Sequence, residues 1–280
     1  MTEAAASFEI LPPRASARAV VGHVPHAGTR LPADVRAGIL LDDAALAREL
    51  VRLTDWHTDD LFGWLPDLGA ATFVNRVSRL AIDPERFEDD AAEPAAGFGQ
   101  GVVYTRTCDG EPLRAPDPAA RAALVERFYR PYHAALTTLV ADVLATHGRC
   151  SIVDGHSFAT VPLPSELDQA PDRPDICIGT DPRHTPEPLA AALEAGFRAE
   201  GLRVRRDSPF AGALVPLRFY GTDLRVTSVM IEVRRGLYCD ERTGERSAAF
   251  PEVAALLRRV VGAVLAGDPA EDAPAPDLVR

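Results

Sequence analysis

Two histidines, His23 and His26, lie close together in "GHVPHAGTRLP", at the end of an apolar run. "CSIVDGHS" brings Asp154 and His156 to the end of a second apolar run, and "SVMIEVRR" carries Glu232 inside a third. "TDWHTDD" adds Asp55, His57 and Asp59. Imidazole nitrogens and carboxylate oxygens are the usual protein ligands of a catalytic zinc, which takes three of them and keeps one position open. His26, His156 and one carboxylate from the 55–59 segment supply such a set. The spacing forms no compact metal motif, so each residue also has a structural reading: a hydrogen-bonded histidine at a strand end, or a cap on a helix end for Asp55.

Glu232 interrupts "VTSVMIEV", where burying a charge is costly without a partner or a task. It either pairs with Arg76, Arg79 or Arg234, or it moves a proton during catalysis. "NRVSRLAIDPER" holds Arg76, Arg79 and Arg86 in an otherwise acidic chain, and guanidinium groups bind carboxylates as a two-pronged fork.

These residues need elements to position them. "ARAVVGHVPHAG", "GATFVNRV", "CSIVDGHS" and "LRVTSVMIEVRRGLY" read as strands. Helices are expected over 43–53, in "PEPLAAALEAGFRAEG" and in "FPEVAALLRRVVGAVLAG". Another runs through "PDPAARAALVERFYRPYHAALTTLVADVLATHG", with Asp117 as its N-cap and a break or kink at Pro131. The segment from Asp83 to Pro116 is irregular. Strands alternating with helices predict an α/β sandwich with a largely parallel sheet. Its ligands gather beyond the carboxyl ends of the strands. One domain over 1–280 is expected, with a core of about 17–266 and flexible ends at 1–16 and 267–280.

The chain has 280 residues, 46% hydrophobic, with 30 Lys and Arg against 41 Asp and Glu. The net charge of −11 argues against a nucleic-acid surface, which needs clustered cations. No apolar run approaches the roughly 18 residues of a membrane span, and the N-terminus lacks the basic n-region of a signal peptide. Four scattered cysteines fit buried free thiols in a cytoplasmic protein. The expected partner is a small molecule, and the expected assembly a monomer or small homo-oligomer.

In order along residues 20 to 242, "VPHAGTRLP", "TDWHTDDLF", "NRVSRLAIDPERF", "YRPYHAAL", "VDGHS", "CIGT", "SPFAGA" and "IEVRRGLYCD" together resemble the N-formylglutamate amidohydrolase family. The resemblance implies a three-layer α/β/α sandwich with a mixed sheet and a zinc-carboxypeptidase-like core. It also implies zinc-dependent hydrolysis of N-formyl-L-glutamate to formate and L-glutamate, a step of histidine degradation. On this resemblance His26 and His156 are metal ligands, with Asp55 the third and His57 or Asp59 behind it. Glu232 is the catalytic carboxylate. Arg79, Asp83 and Arg86 belong to the substrate segment, and Tyr132 and His133 line or support the pocket. In the mechanism expected from these residues Arg79 clamps the α-carboxylate, and Arg76 or Arg86 assists the oxyanion. The chain departs from the family pattern at Glu85, where an Asn is usual, and at Ser208 and Met230. Those departures keep open a zinc amidase for another N-acyl amino acid or small peptide, beside a non-catalytic binding protein.

Overall fold

A computed structural model describes residues 7–267. In chain order the strands are β1 (Phe8–Leu11), β2 (Val20–Val24), β3 (Ala71–Asn75), β4 (Cys150–Phe158), β5 (Ile176–Gly179), β6 (Val204–Arg206), β7 (Val226–Arg234), β8 (Cys239–Asp240) and β9 (Glu245–Arg246). The helices are α1 (Ala33–Ala37), α2 (Asp43–Leu53), α3 (Thr58–Leu61), α4 (Pro118–Leu124), α5 (Arg130–His147), α6 (Glu187–Ala199) and α7 (Phe250–Ala266).

Seven strands form one mixed sheet in the order β1-β3-β2-β4-β7-β5-β6. The β3-β2, β2-β4, β4-β7 and β5-β6 pairs are parallel, and β1-β3 and β7-β5 are antiparallel. Alternation along the strands divides two apolar faces. Val20, Val153, Val229, Ile231 and Val233 pack with α6 and α7 through Leu193, Phe197, Leu257 and Val261. Val21, Phe73, Ile152 and Val226 pack on the other side with α5 through Leu136, Val140 and Leu144. The result is the expected three-layer α/β/α sandwich.

The helix over 43–53 forms as expected, capped by Asp42, whose side chain accepts from the Ala45 N–H. Asp117 caps α4 by accepting from Ala119 and Ala120. Between α4 and α5 the chain makes a π-helical turn over Val125–Tyr129. Pro131 lies two residues beyond it, and its missing N–H explains why the regular ladder breaks there.

Part of the supposed loose lead-in is ordered structure, a correction to the flexible end at 1–16. Phe8–Leu11 pairs antiparallel with β3, and Phe8 stacks on Phe73 with ring centroids 4.8 Å apart. The cross-strand bonds and that aromatic contact hold a segment that has no helical or long strand pattern of its own. Residues 1–6 and 268–280, which carry the rest of the expected flexible ends, lie outside the described residues. No described helix is long and apolar enough to cross a membrane. The cysteines are buried and unpaired.

Candidate active site

His23, Asp154, His156 and Glu232 all project from the α5 side of the sheet near its carboxyl edge. Register puts His23 opposite Asp154 and His156 opposite Glu232 on neighbouring strands. The loop after β2 then carries His26 over this edge. Asn75 fixes that loop: its Nδ2 donates to the Pro25 carbonyl at 2.8 Å and its Oδ1 accepts from the Val77 N–H at 3.1 Å. Gly28 lets the loop pass, because a Cβ there would lie 2.7 Å from the Arg76 carbonyl carbon.

Asp55 arrives from the end of α2. Its N–H donates to the His26 carbonyl at 3.1 Å, and its Oδ2 accepts from the Ser157 N–H at 3.1 Å. Buried Arg235 holds the preceding turn through the Arg52 and Thr54 carbonyls, at 2.8 and 3.0 Å. His57 takes a left-handed φ of 61°, and its ring bonds the Gly244 carbonyl at 2.8 Å. Asp59 pairs with Arg76 at 2.7 Å. Of the three candidates in "DWHTD", Asp55 is therefore the one that faces the histidines.

The two imidazoles share one arrangement. His26 Nε2 lies 2.8 Å from Asp83 Oδ1 and His156 Nε2 lies 3.0 Å from Asp154 Oδ1. With the proton on Nε2, as these bonds assign it in the neutral form, each ring carries a lone pair on Nδ1. Burial opposes charge on both rings, yet Asp83 and Asp55 raise His26, and Glu85, Asp154 and Asp55 raise His156, so that a cation would take the place of the Nδ1 protons. His26 Nδ1 is buried and has no hydrogen-bond partner. Asp55 Oδ2 sits 3.8 Å from it and 3.3 Å from His156 Nδ1. Both Nδ1 atoms thus face the Asp55 carboxylate. A cation fits this donor set, and the carboxylates on the far nitrogens are the usual supports of metal-bound histidines.

Glu85 enters the same cluster, which sequence reasoning did not foresee. Donor atoms of His26, Glu85 and His156 lie within 4.8 Å of one another, as do those of His23, Glu85 and Asp154. Glu85 Oε2 is 3.1 Å from His156 Nε2, on the side where Asp154 already accepts a proton. Glu85 Oε2 also lies 3.7 Å from His26 Nδ1, so both Glu85 and Asp55 stand within reach of the two imidazoles.

Electrostatics follow from these contacts. Burial pushes against charge at Asp55, yet His156, His26 and Arg79 hold its carboxyl well below the usual range. Burial raises Glu232 to about 8, with Asp55 and Glu85 adding to the rise against the pull of His156. Glu232 Oε2 is buried without a partner. Asp83 stays ionised despite its burial because Arg79, His26 and Arg86 surround it. It accepts from Arg79 Nε and Nη2 at 3.1 and 2.7 Å, from the Tyr104 hydroxyl at 2.5 Å and from the Glu85 N–H at 3.0 Å.

The remaining expected residues divide. Arg79 and Arg86 line the cavity; Arg79 Nη1 lies 3.9 Å from Asp55, and Arg86 Nε is buried without a hydrogen-bond partner. Arg76 does not belong to the site. Its guanidinium is held at the surface by Glu9 at 2.8 Å and Asp59 at 2.7 Å, because it projects from the strand end away from Arg79. That corrects its expected oxyanion role. His133 lines the cavity, with Nε2 donating to the Pro84 carbonyl at 2.8 Å. Tyr132 lies behind it: its hydroxyl bonds His23 Nε2 at 2.5 Å, and His23 Nδ1 donates to Asp154 at 2.7 Å. The chain Tyr132–His23–Asp154–His156 braces the second histidine. Tyr104 was missed because it sits in the irregular 83–116 segment, where no periodicity marks it.

An open mixed sheet with acid, base and cation-binding groups beyond its strand ends defines an α/β enzyme site. The chain belongs to the N-formylglutamate amidohydrolase family, whose model matches residues 18–239. It is 29% identical over 252 residues to an N-formylglutamate deformylase of Pseudomonas aeruginosa, covering 87% of this chain and 91% of that one. A deformylase of Pseudomonas putida is 30% identical over 226 residues, covering 78% of this chain and 80% of that one. The crystal structure of an N-formylglutamate amidohydrolase from Ralstonia eutropha superposes with a TM-score of 0.81 at 26% identity, covering 93% of this chain and 98% of that chain.

Proposed function

We propose that this protein is a metal-dependent amidohydrolase that cleaves the amide bond of an N-acyl amino acid, with N-formyl-L-glutamate the first candidate. The observation that carries this reading is Glu232: a buried carboxyl with an unpartnered oxygen, beside His156 in the register of adjacent strands. His26 Nδ1, His156 Nδ1 and Asp55 would hold a Zn²⁺, the ion suited to two imidazoles and a carboxylate. When bound there it supplies Lewis acidity to the amide carbonyl and to the attacking water.

The chain's own groups do the rest. Glu232 takes a proton from the attacking water and delivers it to the departing nitrogen, work that contributes roughly 10²–10⁴ in rate. Arg79, beside Asp55, faces the charge that develops on the carbonyl oxygen. Arg86, which lines the cavity and makes no hydrogen bond through Nε, anchors the substrate's carboxylate. This reverses the roles expected for the two arginines from the sequence, and Asp83 holds Arg79 in place. Tyr132 and His133 position the wall around them. The assay is release of free amine from N-formyl-L-glutamate by zinc-loaded protein. Turnover above that of a His156→Ala control is expected; none above it overturns N-formyl-L-glutamate as the substrate.

A second reading, another N-acyl amino acid, is favoured by Glu85, whose carboxylate lies against the three histidines. There it opposes a substrate with two negative charges. We place the protein with cytoplasmic enzymes of amino-acid breakdown, as a single domain over 1–280.

A further inference from the structure

The cavity holding the cluster has a volume of about 650 Å³, in the range of sites that enclose drug-sized ligands. Its floor is charged and its mouth is apolar. Phe87, Phe98, Leu167, Leu217 and Tyr220 line it while remaining 45–73% exposed. Eight large apolar side chains are this exposed among the described residues, so more than half of them line one cavity. Single exposed apolar residues need no explanation, whereas a contiguous group at the mouth of a site marks binding. Leu214, Phe210 and Met230 carry the apolar surface inward. Met230 stands two residues before Glu232 on the same face of β7, so apolar wall meets reacting group directly.

The charges point the same way. Eight carboxylates and four guanidiniums line the cavity. Arg52 is paired with Asp109, Arg235 with backbone carbonyls and Arg79 with Asp83. Arg86 is more loosely held: its Nε lies 3.8 Å from Asp83 and 4.0 Å from Glu93 and makes no hydrogen bond. One such guanidinium suits one carboxylate. A second carboxylate on the ligand meets Glu85, whose carboxylate is 14% exposed, with further acids at Asp181 and Asp207.

We propose that the cavity takes N-acyl amino acids with a single carboxylate and a large apolar group, and turns them over ahead of the dianion N-formyl-L-glutamate. This rests on the amide-hydrolase reading of the site. The reaction is unchanged: water adds to the carbonyl, the C–N bond breaks, and the departing nitrogen takes the proton. What changes is where the rest of the molecule lies, with its carboxylate on Arg86 and its apolar group along Leu217, Phe98 and Met230.

The test compares N-formyl-L-phenylalanine, N-octanoyl-L-alanine and N-formyl-L-glutamate in two ways. One is kcat/KM of the zinc-loaded protein; the other is calorimetric binding to the metal-free protein. The expected result is a lead of tenfold or more for an apolar compound, about 1.4 kcal/mol, with tighter binding in calorimetry. A lead by the phenylalanine compound assigns the apolar surface to the side chain, and a lead by the octanoyl compound assigns it to the acyl chain. Leu217→Asp combined with Phe98→Ser should lower that preference. N-formyl-L-glutamate leading in both readouts overturns the inference and leaves the hydrolase reading intact. Hydrolysis of none of the three overturns the hydrolase reading, and this inference with it.

Discussion

Replacing Asp83 with Asn should weaken metal binding without removing any ligand. In the wild type Asp83 Oδ1 faces His26 Nε2 at 2.8 Å and the Glu85 N–H at 3.0 Å, while Oδ2 takes Arg79 and Tyr104. Asparagine keeps one oxygen. If that oxygen stays toward His26, the new NH₂ meets the buried Arg79 guanidinium, donor against donor. If it turns toward Arg79, the NH₂ donates to His26 Nε2, the ring proton moves to Nδ1, and the lone pair needed for the metal is lost. Breaking a buried charge pair by removing one partner costs about 3–5 kcal/mol, and the retained neutral acceptor puts Asp83→Asn near the lower end. Loss of the carboxylate behind a metal-bound histidine costs roughly 10–100-fold in metal affinity. Zinc titration against a competing chelator reads the affinity, and denaturant unfolding of the metal-free protein reads stability separately. Zinc affinity within twofold of wild type would refute the claim that Asp83 sets the His26 tautomer.

Glu232→Gln should lower kcat by roughly 10²–10⁴ while one equivalent of zinc still binds; a variant keeping half the wild-type kcat makes the carboxyl structural. Arg86→Ala loses a charged hydrogen bond of about 1.5–3 kcal/mol and should lower kcat/KM by roughly ten- to a hundredfold, whereas Arg76→Ala, at the surface, should stay within threefold. Equal losses would put Arg76 back in the site. Burial lowers His133 to about 4 against the opposing Pro84 bond, so the unfolded chain binds this proton first. Stability from His133 is full above pH 6.5 and is lost as pH falls through 4, an effect of at most about 3 kcal/mol. His133→Gln should flatten unfolding free energy across that window, and an unchanged slope refutes the assignment.

The strands and long helices were readable because each repeats its apolar pattern at its own period over many residues. "CSIVDGHS" and "SVMIEVRR" announced Asp154, His156 and Glu232 by setting charge at the end of, or inside, buried runs. β1 was not readable: four residues acquire their role only by pairing with β3. Short β5 likewise depends on β7 beside it, and β6 on β5. Arg76 and Arg79 looked equivalent in sequence, and only the turn after β3 sends one to Glu9 and the other to Asp83. Glu85 read only as a departure from the family pattern, and its place among three histidines is set by the long irregular segment, which carries no period to read.

The most direct test strips the protein with a chelator, reloads it with known amounts of zinc, and follows amine release from an N-acyl amino acid that it hydrolyses. The account predicts that activity disappears on stripping and returns in proportion to zinc, saturating at one ion per chain, in wild type but not in Asp55→Ala. Full activity in the stripped protein, or in zinc-treated Asp55→Ala, would contradict it.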